Sequence, residues 1–312
     1  MTYRRLGDSG LVVSTVGLGC NNFGLRLGLD ATRAVVEAAL DAGITLFDTA
    51  DVYGDSELLL GEVLAGRRDD VVIATKFGIR VLDAPEWEGR GSRRYIRRAV
   101  ERSLRRLRTD HIDLYQLHAP DPQTPIAETL GAMNELVVEG KVRYLGCSNF
   151  SAWHLADAAW TAQAAHIDGF VSAQNHYSLL HTDAERELVP ACERFGVGVL
   201  PYYPLANGLL TGKVRRGEAP PQGSRLSADR YASWLTPRRF DQVEALAKLA
   251  EQWDVTLLDL AIGGLAARPA VASVIAGATK PEQVHANAAA GAWTPDDEQQ
   301  RAITRAVADP PA

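Results

Sequence analysis

Residues 112–149 read IDLYQLHAPDPQTPIAETLGAMNELVVEGKVRYLGCSN, and this stretch decides the fold. Its first run, Ile112 to Leu117, has the length and composition of a strand. Ile126 to Glu139 follows as a helix closed by Gly140, and Val142 to Leu145 as a second strand. Strand, helix, strand is a βαβ unit, with parallel strands and a right-handed crossover. Both strands run into polar side chains, His118 after the first and Ser148-Asn149 after the second.

The same unit recurs on either side. Upstream, strands are expected at Val12–Val16, Thr45–Phe47 and Val71–Ala74, with helices over Ala31–Leu40 and Glu57–Leu64, the second capped by Ser56. An arginine-rich amphipathic helix capped by Ser92 precedes Ile112. It carries Arg93, Arg94, Arg97, Arg98, Arg102, Arg105, Arg106 and Arg108 on a solvated face. Downstream, strands are expected at Phe170–Ala173, Val197–Leu200 and Val271–Ala276. The helices there run from Ser151 to about Gln163, Ala184–Phe195, Arg239–Trp253, Thr256–Ala267 and Pro281–Ala290.

Eight strands alternate with helices, so the class is α/β with a parallel sheet. Two architectures compete, the open doubly wound sheet and the closed barrel. The first strand leads into Gly17-Leu18-Gly19-Cys20-Asn21-Asn22-Phe23-Gly24, which lacks the GxGxxG of the open sheet. A (β/α)8 TIM barrel is therefore expected, as one domain over residues 1–312. Gly7-Asp8-Ser9-Gly10 marks an N-terminal hairpin turn, and extra helices are expected towards the C-terminus.

Composition narrows the function. The chain has 312 residues, with 33 Lys+Arg against 39 Asp+Glu and a formal charge of −6, which disfavours nucleic acid as a partner. The charge-free run from Phe195 to Gly212 contains Pro201, Pro204 and Asn207, so no membrane span is expected. No apolar run follows Met1-Thr2-Tyr3, so no signal peptide is expected. Cys20, Cys147 and Cys192 are odd in number and widely spaced, which fits a cytoplasmic setting. His176 and His181 have no HExxH or carboxylate cluster beside them, so no metal site is expected. Nothing in the sequence fixes the oligomeric state.

Polar residues end six successive strands: Asp48, Lys76, His118, Ser148-Asn149, Gln174 and Tyr202. A closed barrel brings such positions together at one mouth, however distant they are in sequence. The long segments Gly78–Gly91 and Pro204–Pro237 also follow strands and belong on that face.

These strand ends carry motifs. Phe47-Asp48-Thr49-Ala50-Asp51-Val52-Tyr53-Gly54, Ala74-Thr75-Lys76-Phe77-Gly78, Gln116-Leu117-His118 and Gly146-Cys147-Ser148-Asn149-Phe150 resemble the aldo-keto reductase family. Gln174-Asn175, the run Tyr203 to Lys213, and Pro281-Glu282-Gln283 continue the match to about Ala290. The resemblance implies a barrel that binds NADPH, with NAD second, and reduces aldehydes or ketones. It implies that Asp48, Tyr53, Lys76 and His118 are catalytic. In chemical terms Tyr53 is the proton donor, Lys76 the cation beside its phenol, Asp48 the anchor of Lys76, and His118 the donor to the carbonyl oxygen.

For the cofactor, Ser148, Asn149 and Gln174 suit a carboxamide, and Tyr202 offers a stacking face. Gly208, Gly212 and Gly277 permit close approach to pyrophosphate, with Lys213 and Lys280 as candidate cations. The resemblance adds Gly19, Cys20, Asn21, Asp48, Pro204, Leu205, Ala206, Thr279, Gln283 and Asn287 to the cofactor set. Many relatives carry arginine where this chain has Thr279 and Gln283; Lys280 is then the expected grip on the 2′-phosphate. Phe23, Tyr53, Trp87 and His118 are expected to line an apolar pocket for a small carbonyl substrate. Two other readings compete: a cofactor-binding regulatory or redox-sensing subunit, like the channel β-subunits that resemble this family, and a Schiff-base aldolase using Lys76.

Overall fold

The computed structural model describes residues 1–79 and 87–308. Part of the expected Gly78–Gly91 loop, residues 80–86, lies outside them. Two short strands, β1 (Tyr3–Arg5) and β2 (Val12–Ser14), pair antiparallel. Eight more close a parallel barrel: β3 (Val16–Gly19), β4 (Leu46–Asp48), β5 (Val72–Phe77), β6 (Ile112–Leu117), β7 (Val142–Ser148), β8 (Phe170–His176), β9 (Gly198–Tyr202) and β10 (Val274–Gly277). Order around the barrel follows the chain, and β10 closes against β3 by pairing Val274 with Val16 and Gly277 with Gly19. The (β/α)8 barrel and its N-terminal hairpin are as expected.

One boundary differs. Val12–Val16 is expected as the first barrel strand, but Val12–Ser14 belongs to the hairpin and the barrel begins at Val16. The Ser14 hydroxyl causes the break. It donates to Val16 O at 2.7 Å and accepts from Thr45 N at 3.0 Å, folding the chain between the two strands. The hairpin plugs the N-terminal end of the barrel, where Leu6 and Val13 bury fully among Leu46, Ala74, Leu114 and Leu200. Gly7 makes that seat, at φ 58°; a Cβ there would meet Gly196 O at 2.3 Å.

The helices α1 (Leu29–Asp41), α2 (Ser56–Val63), α3 (Arg93–Leu107), α4 (Ile126–Val138), α5 (Ala152–Ala165) and α6 (Leu188–Phe195) each follow a barrel strand. After β9 come α7 (Pro237–Gln252) and α8 (Leu257–Ala266); after β10 come α9 (Pro281–Ala290) and α10 (Asp297–Ala308). The last packs against α7. Ser92, Ser151 and Thr256 cap their helices through side-chain oxygens. Ser56 does not: it is the first helical residue, fully buried, and donates to Cys20 O at 2.8 Å. The arginine face of α3 is partly paired, Arg97 with Glu135 and Glu139 of the next helix. Such exposed pairs contribute little stability. The rest of the core lies between helices and strands.

Candidate active site

A strand turns alternate side chains inward. Leu46, Ala74, Leu114, Leu200 and Ile275 form one apolar layer inside the barrel. One inward step towards the C-terminal mouth brings Asp48, Lys76, Gln116, Tyr202 and Gly277. Three of the polar strand ends, Asp48, Lys76 and Tyr202, thus stand one inward step above this apolar floor.

Lys76 is fully buried, and its Nζ donates to Asp48 Oδ2 at 2.7 Å and to Thr49 O at 2.8 Å. Burial pulls the ammonium pKa down, but Asp48 and Tyr53 outweigh it, and the net shift is upward. Lys76 is therefore a fixed cation. Asp48 Oδ1 accepts from Gln174 Nε2 at 2.7 Å and from Gln116 Nε2 at 3.4 Å. Both carboxylate oxygens are spoken for.

Tyr53 stands on the loop after β4. Two backbone bonds pin that loop to β5: Thr49 N to Ala74 O at 2.8 Å and Asp51 N to Lys76 O at 3.0 Å. The pinned loop sets the Tyr53 ring 5.0 Å from Lys76 Nζ and edge-on to His118, with ring centroids 5.8 Å apart. A cation beside a phenol lowers its pKa. Lys76 does oppose the rise, but burial is the larger effect, and the phenol lies above its ordinary value of 10. Tyr53 is thus protonated at neutral pH. Burial, aided by Lys76, drops the His118 pKa to about 3, so its imidazole is neutral. Its Nδ1 is buried and, among the described residues, unpartnered.

Above this group opens a cleft of about 650 Å³. Asp48, Tyr53 and His118 line one region of it, and Thr279, Gln283 and Asn287, near the start of α9, line another. Most of the expected cofactor residues line it as well: Gly19, Cys20, Asn21, Ser148, Asn149, Gln174, Tyr202, Pro204, Leu205, Gly208, Lys213 and Gly277. Asn149 takes φ 60° and links three of them. Its Nδ2 donates to His118 O at 2.9 Å and Ser148 Oγ at 3.1 Å, and its Oδ1 accepts from the Tyr202 hydroxyl at 2.8 Å.

Five expected residues lie elsewhere. Ala206 is fully buried, and Gly212 and Lys280 are exposed outside the cleft lining. Phe23 is buried in the core, fixed where Phe23 N bonds to Cys20 O, and Trp87 is 71% exposed with Arg94 against its ring. Among the described residues Val52, Ile79 and Tyr203 supply apolar wall instead. Sequence reasoning also missed Gln116 and Arg26. Gln116 had a readable signal: it shares the inward parity of Leu114, and a polar residue on that face calls for a buried partner. Arg26 had none, because its side chain crosses to Gly223 O in the distant long segment after β9.

The model of the Aldo/keto reductase family matches residues 15–308. The chain belongs to that family. It is therefore an oxidoreductase by descent. A Bacillus subtilis (strain 168) protein, "Uncharacterized oxidoreductase YrpG", is 38% identical over 296 residues, spanning 91% of this chain and 89% of its own. "Probable aldo-keto reductase 1" of Glycine max is 34% identical over 310 residues, spanning 97% of this chain and 88% of its own. An Arabidopsis thaliana relative, "Probable voltage-gated potassium channel subunit beta", is 35% identical over 304 residues, spanning 92% and 90%. The aldo/keto reductase cleft described above has room and donors for a nicotinamide cofactor: amide and hydroxyl groups near Tyr53, glycines along its wall, and Arg26, Lys213 and Arg225 as cations. Among the described residues no cluster could hold a metal ion, and no helix is long and apolar enough to cross a membrane.

Proposed function

We propose that this chain reduces small aldehydes or ketones to alcohols, using NADPH in preference to NADH, with Tyr53 as the proton donor. The observation that carries this reading is the buried Lys76–Asp48 pair beneath a protonated Tyr53, beside a neutral His118. When bound, the cofactor supplies the hydride. The chain's own residues handle the oxygen. His118 carries no charge, so it donates a hydrogen bond to the carbonyl oxygen without ceding its proton. The Tyr53 phenol passes its proton to the developing alkoxide, and Lys76 stabilises the phenolate that remains. Asp48 keeps Lys76 charged and aimed.

Ser148 and Asn149 are the proposed carboxamide contacts, Tyr202 the stacking surface, and Thr279, Gln283 and Asn287 the adenosine end. The proposed setting is the cytoplasm, in keeping with three buried free cysteines, and the chain is read as a single barrel domain. The ion-paired Lys76 weighs against the Schiff-base reading, which needs a neutral amine.

Tyr53→Phe tests the proposal. Turnover of a carbonyl panel, followed by NADPH absorbance, should fall by about 10²-fold or more. Cofactor binding, followed by fluorescence titration, should stay nearly intact. Turnover within a few-fold of the parent removes Tyr53 from the role. Tight NADPH binding with no turnover on any carbonyl, in the parent itself, favours a regulatory subunit.

A further inference from the structure

A second cavity of about 610 Å³ lies on the flank of the barrel, sharing no lining residue with the cofactor cleft. The segment between β8 and α6, the first turn of α7, Arg268 and the C-terminal end of α10 enclose it. Arg186, Arg238, Arg239 and Arg268 line it, against the two carboxylates Asp183 and Glu185. Glu185 is already engaged, accepting from the Tyr177 hydroxyl at 2.6 Å and pairing with Arg268 at 3.0 Å. Asp183 is 72% exposed and points its carboxylate at His181, 4.0 Å away.

The positive charge is left over. Among the described residues Arg186 and Arg238 form no ion pair. Arg239 lies over the Trp234 ring at 4.2 Å and meets no carboxylate, and burial pulls its guanidinium below the usual range. Among the described residues the Arg268 Nε is buried without a partner. Arg238 and Arg239 also occupy the first turn of α7, where the helix dipole is positive and no acidic residue offsets them. In a chain of net charge −6 this is a local concentration of arginine, two of them exposed, whose charge a multivalent anion would complement.

We propose that this cavity binds a small multivalent oxyanion, phosphorylated or polycarboxylate, independently of the cofactor. Arg186, Arg238 and Arg239 supply the charge-assisted donors. The apolar side chains of Ile303 and Val307 form part of the wall and limit the ligand to a small body. Trp234 sits between Arg239 and His176, 5.7 Å from the latter ring, so its emission should report occupancy.

The test is calorimetry of the whole protein, saturated with NADPH so that the cleft cannot take the probe, titrated with inorganic phosphate and separately with citrate. Saturable binding of either is expected. Phosphate alone points to phosphorylated ligands and citrate alone to polycarboxylates. In the variant Arg186→Gln/Arg238→Gln affinity should drop about tenfold or more, while NADPH affinity and circular dichroism stay unchanged. Arg186→Lys/Arg238→Lys keeps the charge and should recover part of the binding. The proposal is overturned if neither probe binds saturably at ionic strengths held constant, or if the double variant binds as well as the parent.

Discussion

Gln174 Nε2 donates to Asp48 Oδ1 at 2.7 Å, a bond across the barrel mouth from β8 to β4. It gives Gln174 a task besides any contact with cofactor. The amide holds the carboxylate that holds Lys76, and Lys76 in turn faces Tyr53. The proposed proton transfer at Tyr53 would thus rest on a relay of side chains from three strands, each fully or nearly buried. Burial makes the relay rigid and also makes each link costly to remove.

Lys76→Met removes the cation and leaves Asp48 buried beside an apolar chain. Breaking a buried pair from one side costs about 3–5 kcal/mol, so the variant should melt well below the parent. The pH profile should move too. Lys76 holds the phenol below the value that burial alone would give it, so the Tyr53 pKa climbs further without it. The proposed reduction uses the protonated phenol, so its alkaline limb should shift upward while the rate falls. A parental rate and pH optimum would make Lys76 structural only.

His118 ties stability to pH. Its folded pKa, about 3, lies below the ordinary 6.5. Between those values the unfolded chain binds a proton that the folded chain refuses, so stability is full above pH 6.5 and drains as pH falls towards 3. The loss at pH 5 is about 1–2 kcal/mol for this one group. His118→Asn should therefore lose less melting temperature than the parent between pH 7 and pH 5. Parallel losses in both proteins would mean that His118 is protonated in the fold.

Arg26 and Gly223 make a strap over the cleft, from the segment after β3 to the segment after β9, and Arg225 lies over the Tyr203 ring at 5.2 Å. Cofactor binding should order residues of the Pro204–Pro237 segment against its phosphates. Hydrogen exchange with and without NADPH should show added protection there, and Arg26→Ala should speed both exchange and cofactor release. Equal protection in the two states sinks the idea.

How much of this was legible beforehand depended on range. The barrel was, because Leu117–His118 and Leu145–Asn149 repeat one local pattern, strand then polar end, at six of the eight units. Asp48, Lys76 and His118 were readable for the same reason. Trp87 lies 71% exposed, and an aromatic residue in a loop gives no sign in the sequence of which way it faces. The turn at Cys20–Phe23 places the Phe23 ring in the core, which the local sequence does not show. The Arg26 strap and the Gln174–Asp48 bond join residues 197 and 126 positions apart, and no local pattern encodes such pairs.

NADPH should bind more tightly than NADH, by less than in relatives that carry arginine at the adenosine end. Here Gln283 Oε1 accepts from Thr279 N at 2.7 Å and from the Thr279 hydroxyl at 3.1 Å, so the pair is closed on itself and offers only neutral donors. Lys280 caps α9 from an exposed position beside them, where its ammonium can swing to a 2′-phosphate and the helix N-terminus adds positive potential. One charge-assisted contact is worth about 1.5–3 kcal/mol, or roughly ten- to a hundredfold in affinity. Lys280→Ala should weaken NADPH near the low end of that range, since the contact is open to water, and leave NADH unchanged. Lys213→Ala and Arg225→Ala, which alter cations of the cleft wall, should weaken both cofactors alike if those groups meet the pyrophosphate. Titrating both cofactors against all four proteins separates the cases. If Lys280→Ala has no effect and Arg225→Ala costs NADPH alone, the 2′-phosphate is held by the long segment after β9 and not by α9.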